Sequence, residues 1–283
     1  MQTTPGTTED AAAPTTQDAT LPHPSLASRM KSYEAQYNFT LPPDKPIIFR
    51  LDGHGFSRFT SHFARPFDER IHGAMAATSS DLLDFFLQAT VAYTQSDEIT
   101  LVFPHGVHTF SARIQKLASL SASYCSVRFN KHLDDALRDI PDPPLTGNTH
   151  GIHGTAHFDA RIFAVPDLHE ALNCLIWRCR NDAVRNAVSR FASSLFTPSQ
   201  MHGKKTHELI DMMLTDKGIT FRDAVPKWAL EGCLVKREQY EHNGLNTKTG
   251  QIETTSRSRP SVQDRGVRTF DDAGLRLVTH KYW

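Results

Sequence analysis

A chain of 283 residues is long enough for one large or two small domains with a real core, and its 31 Lys and Arg balance 31 Asp and Glu. That balance excludes a global basic field, so an RNA contact would have to use local clusters such as Lys204-Lys205, Lys236-Arg237 and Arg257 with Arg259. No apolar stretch is long enough to span a bilayer, and four cysteines without Cys-x-x-Cys spacing argue for reduced thiols rather than a disulfide frame or zinc ribbon.

Residues 1 to about 25 are rich in Thr, Ala, Pro and Gln, with too few large apolar side chains to offset the entropy of ordering, and are predicted to be disordered. A mitochondrial presequence would be Arg-rich, whereas Arg29 is the first arginine here and Glu9, Asp10 and Asp18 precede it; the cytoplasm is the expected compartment. A helix is expected near 28–37. The run from Pro46 to Phe56 then alternates as a strand, with Ile47, Phe49 and Leu51 on one face and Ile48, Arg50 and Asp52 on the other. It ends in the turn Gly53-His54-Gly55-Phe56-Ser57, whose glycines allow backbone N–H groups to approach phosphate closely.

Met75, Leu82 and Phe86 recur at helical spacing and predict an amphipathic helix packed on the sheet. Two strands, 91–95 and 99–103, follow, joined by a tight turn that carries Ser96, Asp97 and Glu98. Taken alone, Asp-Gly after a strand is turn chemistry and an Asp-Glu pair keeps an edge soluble. If these strands are neighbours in one sheet, however, Asp52 and Asp97 converge and can hold a pair of divalent ions, which favour hard oxygen ligands.

Phe110, Ile114, Leu117 and Tyr124 predict a long helix over 109–137, with Arg113 and Lys116 on another face, either solvated or reaching for phosphate. The Pro- and Gly-rich stretch 140–155 is expected to be a loop; His150, His153 and His157 have a metal-like spacing, but no further ligand completes a zinc site. Alternation over 158–165 predicts the closing strand, with Arg161 facing either the site or the core rim. A helical stripe over 168–196 runs through Leu168, Leu172, Leu175, Val184, Val188, Phe191 and Leu195. A short helix over 206–217 stops at Gly218, Cys233-Leu234-Val235 is strand-like, and two polar extended arms flank a turn at Asn246 to Gly250.

The segment Arg50-Leu51-Asp52-Gly53-His54-Gly55-Phe56 together with Gln95-Ser96-Asp97-Glu98 resembles the tRNA(His) guanylyltransferase family, enzymes that add nucleotides in the 3′-to-5′ direction. Phe158-Asp159-Ala160-Arg161, then Trp177-Arg178 with Asn181-Asp182 and Arg185-Asn186, and His202-Gly203-Lys204 extend the resemblance over roughly residues 28 to 240. It implies an α+β fold: a polymerase/cyclase-like palm, a ferredoxin-like antiparallel sheet with helices on one face, plus a helical C-terminal region. The expected division is an N-terminal extension at 1–25, the palm at 26–166, and a C-terminal region with a polar tail at 167–283.

The resemblance also implies a site. Asp52, Asp97 and Glu98 would be catalytic, with Glu98 as an additional or outer ligand, and Asp52, Asp97 and the Gly53 carbonyl would hold two Mg²⁺ ions. Nucleotide would be bound by Asp52, Gly53, His54, Gly55, Phe56, Ser57, Ser96, Asp97, Arg113 and Lys116. GTP is the implied substrate, ATP the 5′-activating nucleotide, tRNA the partner, and a homo-oligomer, typically a tetramer, the assembly. Rival readings are a nucleotidyl cyclase palm, which would need less C-terminal chain, and a non-catalytic RNA-binding sheet, which would need exposed stacking aromatics. Where eukaryotic members carry His-Ile-Asn-Asn, this chain has Ala183-Val184-Arg185-Asn186, which aligns it with the bacterial-type branch and questions strict tRNA(His) specificity.

Overall fold

The computed structural model describes residues 24–147, 149, 151–245, 247–267 and 269–283. The predicted disordered extension lies almost wholly outside the described residues, as do His150 and Asn246. The segment up to Asn38 forms its own unit, containing helix α1 (Leu26–Ala35), which Ser25 caps by accepting the Ser28 amide at 3.2 Å.

The unit Phe39–Trp283 is built on six antiparallel strands: β1 (Ile47–Gly53), β2 (Val91–Gln95), β3 (Glu98–Phe103), β4 (Phe158–Ala164), β5 (Cys233–Leu245) and β6 (Ile252–Gln263), in the order β4-β1-β3-β2-β5-β6. Its helices are α2 (Phe56–Phe59), α3 (Glu69–Phe85), α4 (Ile114–Asp139), α5 (Leu168–Trp177), α6 (Ala183–Ala192), α7 (Pro198–Met201), α8 (Thr206–Lys217), α9 (Phe221–Ala224), α10 (Lys227–Glu231) and α11 (Asp272–Thr279). The helix expected from 109 begins at Ile114, because Phe110 to Ala112 take left-handed backbone angles.

Strict alternation along β1 sorts the sheet into two faces. Ile47, Phe49 and Leu51, with Leu101 and Phe103 of β3, pack on Leu82 and Leu83 of α3 and on Leu117 and Phe129 of α4. Ile48, Val102, Tyr93 and Leu234 point the other way, onto Leu172 and Leu175 of α5 and Val278 of α11. The palm helices therefore share one face, as expected, and helices of the C-terminal region cover the other. That region also completes the sheet, since β5 pairs with β2 from Ala92↔Val235 to Thr94↔Cys233. Residue 166 consequently marks no break between separate sheets. A third core gathers α6 and α8 to α10 around Val188, Phe191, Met213 and Leu230.

The two polar arms are the distal parts of β5 and β6, paired in register from Leu234↔Gln263 to Leu245↔Ile252. Lys236 and Arg237, considered above as an RNA contact, are instead 1% and 3% exposed. A buried unpaired cation would cost several kcal/mol, so each needs acceptors. The Lys236 ammonium donates to the carbonyls of Thr90, Leu277 and His280, and Arg237 donates to those of Leu83 and Ala89. Leu277 and Leu83 lie in the last turns of α11 and α3, where carbonyls lack helical partners, so these cations cap helix ends.

Candidate active site

Asp52 is the penultimate residue of β1 and projects from the face opposite Phe49. Antiparallel pairing sets it beside Glu98 of β3 and Asp159 of β4. The next residue closes the site: the Gly53 amide donates to the Asp97 carbonyl at 3.0 Å, tying the strand end to the β2–β3 hairpin tip. Glycine is required there, because a Cβ would lie 2.2 Å from the Phe56 ring. At the tip Ser96 takes a left-handed φ of 57°, and its hydroxyl donates to Asp97 Oδ1 at 2.8 Å.

Burial, followed by the charges of Glu98 and Asp97, pushes the Asp52 carboxyl above its ordinary pKa, while Arg50 pulls the other way. Burial likewise raises Asp97, against the hydrogen bond from Ser96. Asp97 and Glu98 lie close enough to raise the Asp52 pKa, and such a gathering of hard oxygen donors with an excess of negative charge suits Mg²⁺. The donor set of Asp52 and Asp97 therefore fits the metal that the sequence implies.

Glu98, at the same end of the sheet, is held by ion pairs. Its carboxylate accepts from Arg50 Nε at 3.3 Å and from Arg178 Nη1 at 3.1 Å. Glu98 thus orients Arg50 beside Asp52 and also lines the cavity at the hairpin tip. Arg178 comes from a π turn, Arg178–Asp182, that interrupts the single helix expected over 168–196. There it pairs with Asp182, whose other oxygen meets Arg185 at 3.0 Å. This chain of charges fixes the start of α6 against the acidic face of the sheet.

A cavity of about 550 Å³ opens between the hairpin tip and α6. The tip lines it with Gln95, Ser96 and Asp97, α6 with Asn186, Ser189 and Arg190, and the α2 region with Ser57 and Thr60. Asn186 donates to Gln95 Oε1 at 3.4 Å, bridging the two walls. Arg190 donates to Thr60 Oγ1 at 2.9 Å, and its charge favours an ionised Asp97.

The profile of the Thg1, or tRNAHis guanylyltransferase, family matches residues 27–166. An uncharacterised protein of Acanthamoeba polyphaga mimivirus is 36% identical over 274 residues, spanning 91% of this chain and 90% of its own. The tRNA(His) guanylyltransferase of Debaryomyces hansenii is 24% identical over 265 residues, spanning 90% of this chain and 94% of its own. A bacterial tRNA(His) guanylyltransferase (Thg1)-like protein in complex with ATP superposes with a TM-score of 0.70 at 29% identity, covering 90% of this chain and 99% of that one. The chain belongs to the Thg1 family. A bacterial Thg1-like protein in complex with GTP has a TM-score of 0.61 at 28% identity, covering 84% of this chain and 90% of that one. These likenesses support the bacterial-type branch within the Thg1 family.

The Thg1-type turn after β1 is placed beside the acids, but its members differ in use. Gly55 takes a left-handed φ of 66° and leads into α2, whose first amides at Phe56 and Ser57 have no helical acceptor by position. His54 is exposed; its amide donates to the His157 carbonyl at 2.9 Å and its ring stacks on His157 at 5.0 Å. The Phe56 side chain is no nucleotide platform: at 4% exposure it packs against Phe129 and Phe158 in the core, leaving only its backbone available.

Arg113 and Lys116 are not brought to the site within the chain. Tyr124 stacks on Phe85 at 4.4 Å, where α3 ends on its way to the start of β2, and this is the sheet end remote from the hairpin tip. Both cations precede Tyr124 on or before α4, and Ser126, which accepts the Phe158 amide, lies about 15 Å of helix beyond Lys116. Helical spacing gave them a common face but not the end of the sheet they occupy. Lys116 lies over the Phe110 ring at 5.4 Å, and Arg113 donates to the Phe110 carbonyl at 3.4 Å.

The two described loop histidines are engaged separately, His153 with Asp134 at 2.7 Å and His157 with the Thr155 carbonyl at 3.0 Å. Arg161 pairs in register with Arg50, which puts it on the face of Asp52 rather than on the core rim. Sequence reasoning did not place Asp159 or Arg190 at the site. The first could have been found from its register with Asp52, and the second from its four-residue spacing after Asn186, which sets both on one helical face.

Proposed function

We propose that the cavity between the hairpin tip and α6 is the nucleotidyl-transfer site of a 3′-to-5′ nucleotide-adding enzyme that acts on the 5′ end of tRNA. Membership in the Thg1 family makes the chain a nucleotidyltransferase. The observation that carries the placement is the 3.0 Å link from the Gly53 amide to the Asp97 carbonyl, which ties the strand end bearing Asp52 to the hairpin tip whose Asp97 lines a cavity of nucleotide size. Asp52 and Asp97, with the Gly53 carbonyl, would hold two Mg²⁺ ions. Those ions would supply Lewis-acid activation of an attacking hydroxyl and neutralise charge on the leaving phosphate.

The chain's own residues position the reactants. Arg190 and the turn amides of Phe56 and Ser57 offer donors to a triphosphate, Ser96 holds the Asp97 carboxylate, and Arg50, set by Glu98, offsets the charge on Asp52. GTP is the added nucleotide and ATP the 5′-activating one in this reading, supported by related structures in complex with each. The reading includes a tetramer by family resemblance, and the cytoplasm as compartment, supported by the free thiols of Cys125, Cys174, Cys179 and Cys233.

Incubation with labelled GTP, ATP, Mg²⁺ and 5′-monophosphorylated tRNA tests the assignment. Asp52→Asn and Asp97→Asn should each lower nucleotide addition on the order of a thousand-fold, the equivalent of several kcal/mol of charge stabilisation, with circular dichroism unchanged. Turnover near wild type in either variant at saturating GTP and Mg²⁺ would remove the site. A cyclic nucleotide formed without RNA would replace this reading with the cyclase one.

A further inference from the structure

The first turn of α3, the start of β5 and the exit from β6 meet beside Trp228. His72 lies on α3, Cys233 opens β5, and Asp264 follows the last residue of β6. Because Leu234 pairs with Gln263, the next rung of that antiparallel ladder sets Cys233 beside Asp264. His72 Nε2 is 3.5 Å from Asp264 Oδ1, and one ring nitrogen, the thiol sulfur and one carboxylate oxygen all lie within 4.8 Å of one another. We propose that His72, Cys233 and Asp264 bind one transition-metal ion of the zinc type, at a site separate from Asp52 and Asp97.

The chemistry of the donors selects the ion. Imidazole, thiolate and carboxylate form a mixed nitrogen, sulfur and oxygen set suited to Zn²⁺ and its neighbours, whereas Mg²⁺ and Ca²⁺ take oxygen ligands. With metal–ligand bonds of about 2.0 to 2.3 Å, a tetrahedral site has ligand–ligand edges of about 3.3 to 3.7 Å. The His72–Asp264 separation already matches such an edge, and no separation in the cluster has to close by more than about 1 Å. Cys233 is fully buried on a central part of the sheet and is held in place by β2. His72 is oriented by its ring, which stacks on Trp228 at 4.3 Å and 10°. Asp264 is 52% exposed, which leaves an entry path and room for water as the fourth ligand.

Binding would exchange the thiol proton for the metal and release that proton to solvent, so affinity rises with pH. The ion would join three segments distant in sequence. It would also brace one wall of the nucleotide cavity, since both His72 and Trp228 line it.

The test uses the full chain, stripped of metal with chelator and titrated with Co²⁺ in excess Mg²⁺. One equivalent should bind and give a thiolate-to-cobalt charge-transfer band in the near ultraviolet, which Zn²⁺ then displaces. Cys233→Ser should abolish the band, and Asp264→Asn, at an exposed position, should weaken Co²⁺ binding by at least about ten-fold while leaving circular dichroism unchanged. Zn²⁺ should raise the melting temperature of the wild type but not of Asp264→Asn, and Asp52→Asn should keep the band. Wild-type protein without the band, a band that survives Cys233→Ser, or Co²⁺ affinity indifferent to Asp264→Asn would each overturn the proposal.

Discussion

At the scale of single residues, Asp52 and Asp97 are held where ionisation is unfavourable. Burial raises both pKa values, and in Asp52 the neighbouring carboxylates add to it. A carboxyl whose folded pKa is raised contributes stability below its unfolded pKa, and this contribution is lost as pH rises through the folded value. At neutral pH and above, in the absence of divalent metal, each acid therefore costs stability, and an amide of the same shape does not. Asp97→Asn and Asp52→Asn should thus melt about a few degrees above wild type at pH 8 in chelator, while losing activity. Excess Mg²⁺ should raise the wild-type melting temperature and narrow the gap. Equal melting temperatures in chelator, or variants that melt below wild type, would show that the acids are not strained in this way. Ser96 belongs to the same account, because its hydroxyl on Asp97 Oδ1 stabilises the ionised form that burial opposes.

At the scale of elements, the site depends on where α6 sits, and that is set by the π turn. Arg178 and Asp182 in the turn reach Glu98 and Arg185, so the helix leaves the acidic face at a fixed angle and carries Asn186 and Arg190 to the hairpin tip. Arg190→Ala should therefore raise the KM for GTP by roughly ten-fold or more, the scale of one charge-assisted hydrogen bond to phosphate. Arg113→Ala with Lys116→Ala should leave that KM within about two-fold, since neither cation shares the cavity. Steady-state kinetics with varied GTP distinguishes the two, and a KM that moves with the Arg113 and Lys116 pair but not with Arg190 would reverse the assignment. The same contrast explains what was legible beforehand. Alternation of period two in β1 located Asp52 on its face, and hairpin spacing located Asp97 at a tip, because both are local properties of the backbone. The position of Arg190 follows from an extra residue in one helical turn, which apolar periodicity does not register. Lys236 and Arg237 read as surface charges because composition cannot anticipate helix-end carbonyls waiting to be capped.

At the scale of the whole molecule, a chain with 31 cationic and 31 anionic side chains must recognise RNA through particular patches or through the RNA's own pairing. The segment Ala183-Val184-Arg185-Asn186 decides how much direct reading is available beside the site. Ala183 is buried and Val184 packs against the third core, so neither presents a polar group. The Asn186 amide is engaged with Gln95 across the cavity. Arg185, 65% exposed and anchored on Asp182, offers a guanidinium suited to phosphate rather than to one base edge. Such a set grips a backbone and leaves sequence to be checked by Watson–Crick pairing in the acceptor stem. The expected substrates are therefore tRNAs truncated at the 5′ end, whose missing pairs a template strand can specify. Offered full-length tRNA(His) lacking its extra G alongside several 5′-truncated tRNAs, the enzyme should extend the truncated species with kcat/KM higher by at least about ten-fold, a difference of about 1.4 kcal/mol in transition-state binding. Arg185→Ala should weaken all of these substrates alike and leave their ranking unchanged. Extension of tRNA(His) alone, by one G, would instead mean that this chain reads its tRNA directly, through contacts other than those of α6.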